Sequence, residues 1–123
     1  MLVYELLYAP EVLVERRAEL RKLVRGLYRT QKWMHASPPE ALANVVQSFF
    51  PSVPQPLLRA SLARYRTLGI WGGNPILPRS GYERLRASLL SARFVKNAAP
   101  FEQAVDNSLA EDVVREDPPA LDQ

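Results

Sequence analysis

The chain has 123 residues, no cysteine, one histidine and a formal net charge of +3. This length fits one domain at the small end of what buries its own core. The missing cysteines exclude disulfides, thiolate metal sites and a cysteine nucleophile, and the single His35 excludes any site that needs two imidazoles. No stretch is long and apolar enough to span a bilayer. Met1-Leu-Val-Tyr-Glu lacks the basic start and long apolar run of a signal peptide, so the chain as written is expected in the cytoplasm.

Leu2 to Tyr8 is a short apolar run with valine and two tyrosines, which fits a buried strand, with a helix start as the alternative. No later stretch offers it a partner strand. A lone strand leaves its backbone donors and acceptors unpaired, so either this one joins a sheet supplied by another chain or it is not a strand here. Pro10 suits a first helical position and Glu11 to Glu15 continues it for a turn or two. Arg16-Arg17 is either a bend or a straight run into the next helix.

Arg17 to His35 is the longest helical pattern. Leu20, Leu23, Val24, Leu27, Tyr28, Gln31 and Met34 recur in steps of three and four and share one side. Arg17, Arg21, Lys22, Arg25, Arg29 and Lys32 lie on the other. Acids crowd Glu102 to Asp122. The bases stay on amphipathic faces with few aromatics among them, so an intramolecular acidic partner is preferred to nucleic acid.

Ser37-Pro38-Pro39-Glu40 predicts the end of that helix and the start of the next, with Ser37 and Glu40 as a capping box. A second helix is expected from Pro38 to Phe50, stopped by Pro51. A third runs from Pro56 to Leu68, with Leu58, Ser61, Leu62, Tyr65 and Leu68 inward and Gly69 as its stop. Ile70 to Leu77 is an apolar, turn-rich loop. A fourth helix covers Pro78 or Arg79 to Ala92, with Tyr82, Leu85 and Leu89 inward. Pro100 restarts helix through Val105, Leu109 and Val113, and Asp106-Asn107-Ser108 offers a break and a new cap. The expected fold is mainly α, roughly four to six helices with one short N-terminal strand. Residues 1–114 form one helical unit, and 115–123 form an acidic, disordered tail.

Chemistry-bearing patterns are sparse. Gly72-Gly73 lacks the further glycines and lysine of a phosphate loop, and Ser80-Gly81 is not a nucleophile elbow. Nothing in the sequence joins Glu83 to Glu102 as an acid–base pair. Trp33 and Trp71 read as packing residues, and His35 as a cation at a helix C-terminus. The expectation is a protein that is not an enzyme and holds no metal or cofactor.

The order of segments carries more than any one of them. An apolar strand and a Pro-Glu turn precede a long helix ending Gln31-Lys32-Trp33-Met34, then Ala36-Ser37-Pro38-Pro39-Glu40-Ala41. Phe49-Phe50-Pro51, Arg64-Tyr65-Arg66-Thr67-Leu68-Gly69-Ile70-Trp71 and Val105-Asp106-Asn107-Ser108-Leu109-Ala110 follow. This series resembles the C-terminal third of an ABC-transporter substrate-binding protein of the nitrate, sulfonate, taurine and thiamine-precursor-binding type. The resemblance covers about Leu2 to Val114.

The resemblance implies the helical end of a two-lobed α/β periplasmic-binding-protein fold. It further implies a complete protein at the cell surface or in the periplasm that hands a small anion, sulfonate or pyrimidine-type ligand to an ABC permease. It implies a partner in the N-terminal lobes, without which this part binds no ligand, and it nominates Tyr4 alone as near a ligand cleft. The sheet of the first lobe would then cover Leu20, Leu23, Leu27 and Met34. Two other functions fit the residues themselves: a stand-alone helical interaction module that pairs with a second copy, and, ranked last, a nucleic-acid-binding helical protein using Arg17 to Lys32.

Overall fold

A computed structural model describes residues 9–122. The expected strand Leu2–Tyr8 and the ligand candidate Tyr4 lie outside the described residues. Among those residues there are seven α-helices, one 3-10 turn and no strand.

Helix α1 spans Pro10–Glu15 with its proline in the first turn. Arg16, at φ −115° and ψ 25°, separates it from α2, Arg17–Ala36, so the chain bends there. Arginine, leucine, lysine and alanine are the commonest residues of α2, all good helix formers, and no proline interrupts it. Pro38 then ends it. A residue before proline is pushed out of the helical region, and Ser37 is extended at ψ 143°.

The capping box does not form. The N-cap of α3, Pro39–Val46, is Pro38, and no side chain caps it. Ser37 is instead the C-cap of α2. It is only 2% exposed, and its amide donates to the Trp33 carbonyl at 2.8 Å. Ser37 thus sits one position before the N-cap of α3. The second helix is also shorter than expected, ending at Val46 and continuing as a 3-10 turn, Gln47–Phe49. The Gln47 side-chain amide donates to the carbonyls of Phe50 and Val53, which folds the chain back toward the next helix.

Helix α4 spans Gln55–Thr67. It ends as the glycine predicts: Gly69 has φ +61°, its amide donates to Arg66 and that of Ile70 to Tyr65, a Schellman closure. Helix α5, Arg79–Ser91, closes in the same way, with Phe94 donating to Leu89 and Arg93 to Leu90. The left-handed position there is held by Arg93, at φ +57°. Short α6, Phe101–Ala104, packs on α5. The Tyr82 ring meets Phe101 edge-on at 5.7 Å, its hydroxyl donates to the Ala99 carbonyl at 2.8 Å, and the Arg79 guanidinium sits 4.5 Å over Phe101.

The last helix, α7, is Ser108–Glu116. The break predicted before it is real: Asn107 is the N-cap, without a side-chain cap bond, and the Asp106 carboxylate just before it accepts the Ser108 amide at 2.8 Å. Helix α7 lies against α2 and builds the main core from Val24, Tyr28, Leu109, Ala110 and Val113, with Leu13, Leu20, Ile76 and Val114 around it. Burying a side chain such as Leu109 or Val113 contributes about 1.5–3 kcal/mol. A second small core joins α3 to α4 through Leu42, Ala43 and Leu58.

The expected disordered tail is placed differently. Arg115 and Glu116 belong to α7. Asp117 turns left-handed at φ +51°, and the carbonyls of Pro118, Pro119 and Ala120 accept hydrogen bonds from α2. The reason is the charge of α2, which gives this segment donors to lie on.

Several residues expected inward are not covered. Leu23 and Leu27 are 47% and 43% exposed, and Leu68, Tyr65 and Leu85 are exposed as well. The physical reason is a shortage of covering elements: α7 is short and takes the flank of α2 that carries Val24 and Tyr28.

Candidate functional site

The most organised polar feature is the seam between α2 and the C-terminal segment. Arg17, Arg21, Arg25, Arg29 and Lys32 follow one another every three or four residues and so form a single ladder along α2. Arg17 reaches Asp112 at 3.2 Å and also donates to the Ser108 hydroxyl. Arg21 and Arg25 share the two oxygens of Glu116. Arg29 donates to the carbonyls of Pro119 and Ala120 at 3.0 and 3.2 Å. Lys32 pairs with Asp117, donates to the Pro118 carbonyl at 2.7 Å and lies 4.7 Å over the Tyr28 ring. Arg25 and Arg21 hold the Glu116 carboxyl below the usual carboxylate range, the Arg25 hydrogen bond being the largest cause. The acidic partner expected for the basic face is therefore in place within the chain.

The loop between α4 and α5 is pinned from three sides. The Asn107 side chain accepts the Leu77 amide and donates to the Leu77 carbonyl, both at 3.0 Å, copying with one amide the pairing a strand neighbour would give. Asn74 folds back on the Ile76 amide. His35 Nε2 lies 3.1 Å from the Gly72 carbonyl, and Gln31 donates to the Asn74 carbonyl. Trp71 is half-buried edge-on against Tyr65 at 6.2 Å between centroids.

The structure does not bring the remaining sequence candidates together. Glu83 pairs with Arg86 at 3.3 Å, and Glu102 pairs with Arg79. The Arg79 hydrogen bond, aided by the local backbone, lowers the Glu102 carboxyl. Each acid has its own arginine, and they form no acid–base couple. No cluster of three or more metal-ligating side chains exists among the described residues. Among the described residues a crevice of about 90 Å³ is lined by Glu40, Ala43, Gln55, Pro56 and Arg59. Ligand pockets usually measure about 300–1,000 Å³. Among the described residues no helix is long and apolar enough to cross a membrane.

No family model, curated protein or solved structure matches the chain.

One important residue escapes sequence reasoning altogether. Arg66 of α4 donates to the carbonyls of Met34 and Ser37 at the end of α2. The sequence does signal the need: Pro38 has no N–H to give to the Met34 carbonyl four residues earlier. It does not say which distant donor fills that need. Asn107 was legible as a helix break, but not as the pin on Leu77.

Proposed function

We propose that this chain is the helical C-terminal part of the solute-binding component of an ABC importer, that it completes such a protein by seating on α/β lobes outside the described residues, and that it captures no ligand alone. The ligand class is a small anion, sulfonate or pyrimidine-type molecule. The observation that carries the reading is the uncovered apolar surface. Leu23, Leu27, Val45, Phe49, Phe50, Leu57 and Leu68 are all exposed, on helices whose own cores are small.

A second observation supports it. The segments that resemble the transport family are the joints of this structure. Ser37 and Arg66 join α2 to α4, Tyr65 and Trp71 stack at the end of α4, and Asp106, Asn107 and Leu109 set the start of α7. Spacing that keeps joints in register is what a shared architecture requires.

Calorimetric titration of the purified chain with nitrate, an alkyl sulfonate and a pyrimidine should give no heat. Tight binding of any of these by the chain alone defeats the proposal. Sequencing the DNA upstream of the Met1 codon gives an independent check, because the reading requires α/β lobes to be encoded in company with this chain. The nucleic-acid reading fares worse, since the cations it needs already face Asp112, Glu116, Asp117 and backbone carbonyls.

A further inference from the structure

The charged seam of α2 has two halves that are held differently. Arg17, Arg21 and Arg25 face Asp112 and Glu116 of α7, and α7 is anchored beneath them by Leu109, Ala110 and Val113. Beyond Glu116 that apolar anchor ends. Residues 117–122 have no regular secondary structure, and Pro118 is the one buried residue among them. They lie on α2 through three backbone carbonyls and one carboxylate. The Pro119 and Ala120 carbonyls accept from Arg29, and that of Pro118 accepts from Lys32. Asp117 pairs with Lys32 although its own side chain is 74% exposed.

Arg29 differs from the other rungs. Arg17, Arg21, Arg25 and Lys32 each meet a carboxylate, whereas Arg29 meets only neutral carbonyls. A guanidinium is a planar fork that fits a carboxylate with two parallel hydrogen bonds. Here that fork is satisfied in its hydrogen bonds but faces no counter-charge.

We infer that residues 117–122 are a displaceable strap, and that the face of α2 carrying Lys22, Arg29 and Lys32 is a docking site for an extended acidic peptide of a partner protein. The strap fills part of this site as a weak internal stand-in. Its own form argues for a peptide: Pro119 keeps Pro118 extended, so the face already receives a chain in that conformation. Charge argues for acids, because a carboxylate would give Arg29 the counter-charge that the carbonyls do not. That is the advantage a displacing segment holds over the tether that favours the strap. Lys22 lies seven residues before Arg29, on the same face, and is exposed. From Lys22 to Lys32 the face measures about 15 Å, the reach of roughly five extended residues. Arg17 and Arg21 stay closed under α7, so the opened stretch is too short for the many phosphate contacts on which nucleic-acid affinity rests.

The probe is a fluorescein-labelled peptide of alternating glutamate and proline, followed by anisotropy at low salt. In the parent chain, the unlabelled peptide at millimolar concentration should move the amide resonances of Ala120 and Leu121 toward random-coil positions and leave that of Val113 in place. Asp117→Gly combined with Pro118→Gly should raise the affinity for the peptide at least 10-fold. Glycine takes the left-handed turn at φ +51° without strain, while the strap loses its carboxylate and its buried ring. Adding Arg29→Gln should remove the gain. Strap resonances that stay fixed at millimolar peptide would overturn the inference. So would a loosened chain that keeps its helical signal and binds no better than the parent, or a gain that survives Arg29→Gln. A single-stranded oligonucleotide of equal charge that binds the loosened chain more tightly than the peptide would overturn the choice of partner. The inference is independent of the transport reading, which rests on the apolar surface rather than the charged flank, so an immovable strap leaves that reading as it stands.

Discussion

Replacing Arg66 by methionine should destabilise the chain by about 2 kcal/mol. The substitution keeps most of the apolar stem and removes only the guanidinium. Two carbonyls at the C-terminus of α2, those of Met34 and Ser37, then lose their donor. Met34 has no helical substitute, because Pro38 has no N–H to give it, and Ser37 is already extended beyond the helix at ψ 143°. A hydrogen bond to a charged group contributes about 1.5–3 kcal/mol, and a buried carbonyl left bare costs about 1–3 kcal/mol. The cation also gains from the negative end of a 20-residue helix, by about 0.3–1 kcal/mol. Against this, Arg66 Nε is buried with no partner, and relieving that burial returns part of the loss. The balance is about 2 kcal/mol, or roughly 6–10 °C in Tm for a chain of this size. Thermal unfolding followed by circular dichroism measures it. A change below about 0.5 kcal/mol would mean that water serves these carbonyls as well as Arg66 does, and the reasoning from Pro38 would fail.

Three further outcomes follow from single groups. Arg93→Gly should stabilise by about 1 kcal/mol, since φ +57° strains any side chain with a Cβ; urea midpoints of the two chains decide it. Asn107→Ala should cost about 1–2 kcal/mol and speed hydrogen exchange at the Leu77 amide far more than at Val113, which a general loss of stability would not do. Glu116 has a folded pKa lowered by Arg25 and Arg21, so its contribution is fully present above its unfolded pKa and is lost as pH falls through the folded one. The urea midpoint of the parent chain should therefore drop between about pH 5 and pH 3, and Glu116→Gln should flatten that drop while leaving the fold intact.

Periodicity made the long helices legible, because α2, α4 and α5 repeat apolar residues over several turns and end at a proline or a left-handed turn. Local chemistry was legible less often. The Ser37–Glu40 spacing is that of a capping box, yet Ser37 serves the helix before it. Two adjacent helices compete for one linker residue, and sequence spacing does not reveal the winner. The partial exposure of Leu23 and Leu27 was equally hidden. An amphipathic pattern says that a face can be buried, not that the chain contains enough covering elements to bury it.

Helix α2 is the place where these effects meet. Its cationic flank is closed by α7 and the residues after it, through ion pairs that are individually weak because they are partly exposed. What makes that closure stable is the apolar row beneath them, Leu109, Ala110 and Val113 against Val24 and Tyr28. The charges then fix register rather than supply most of the energy: sliding α7 by one turn would separate Glu116 from both of its arginines and set Asp117 away from Lys32. The neutral flank has no such pairing, and nothing among the described residues selects a register there.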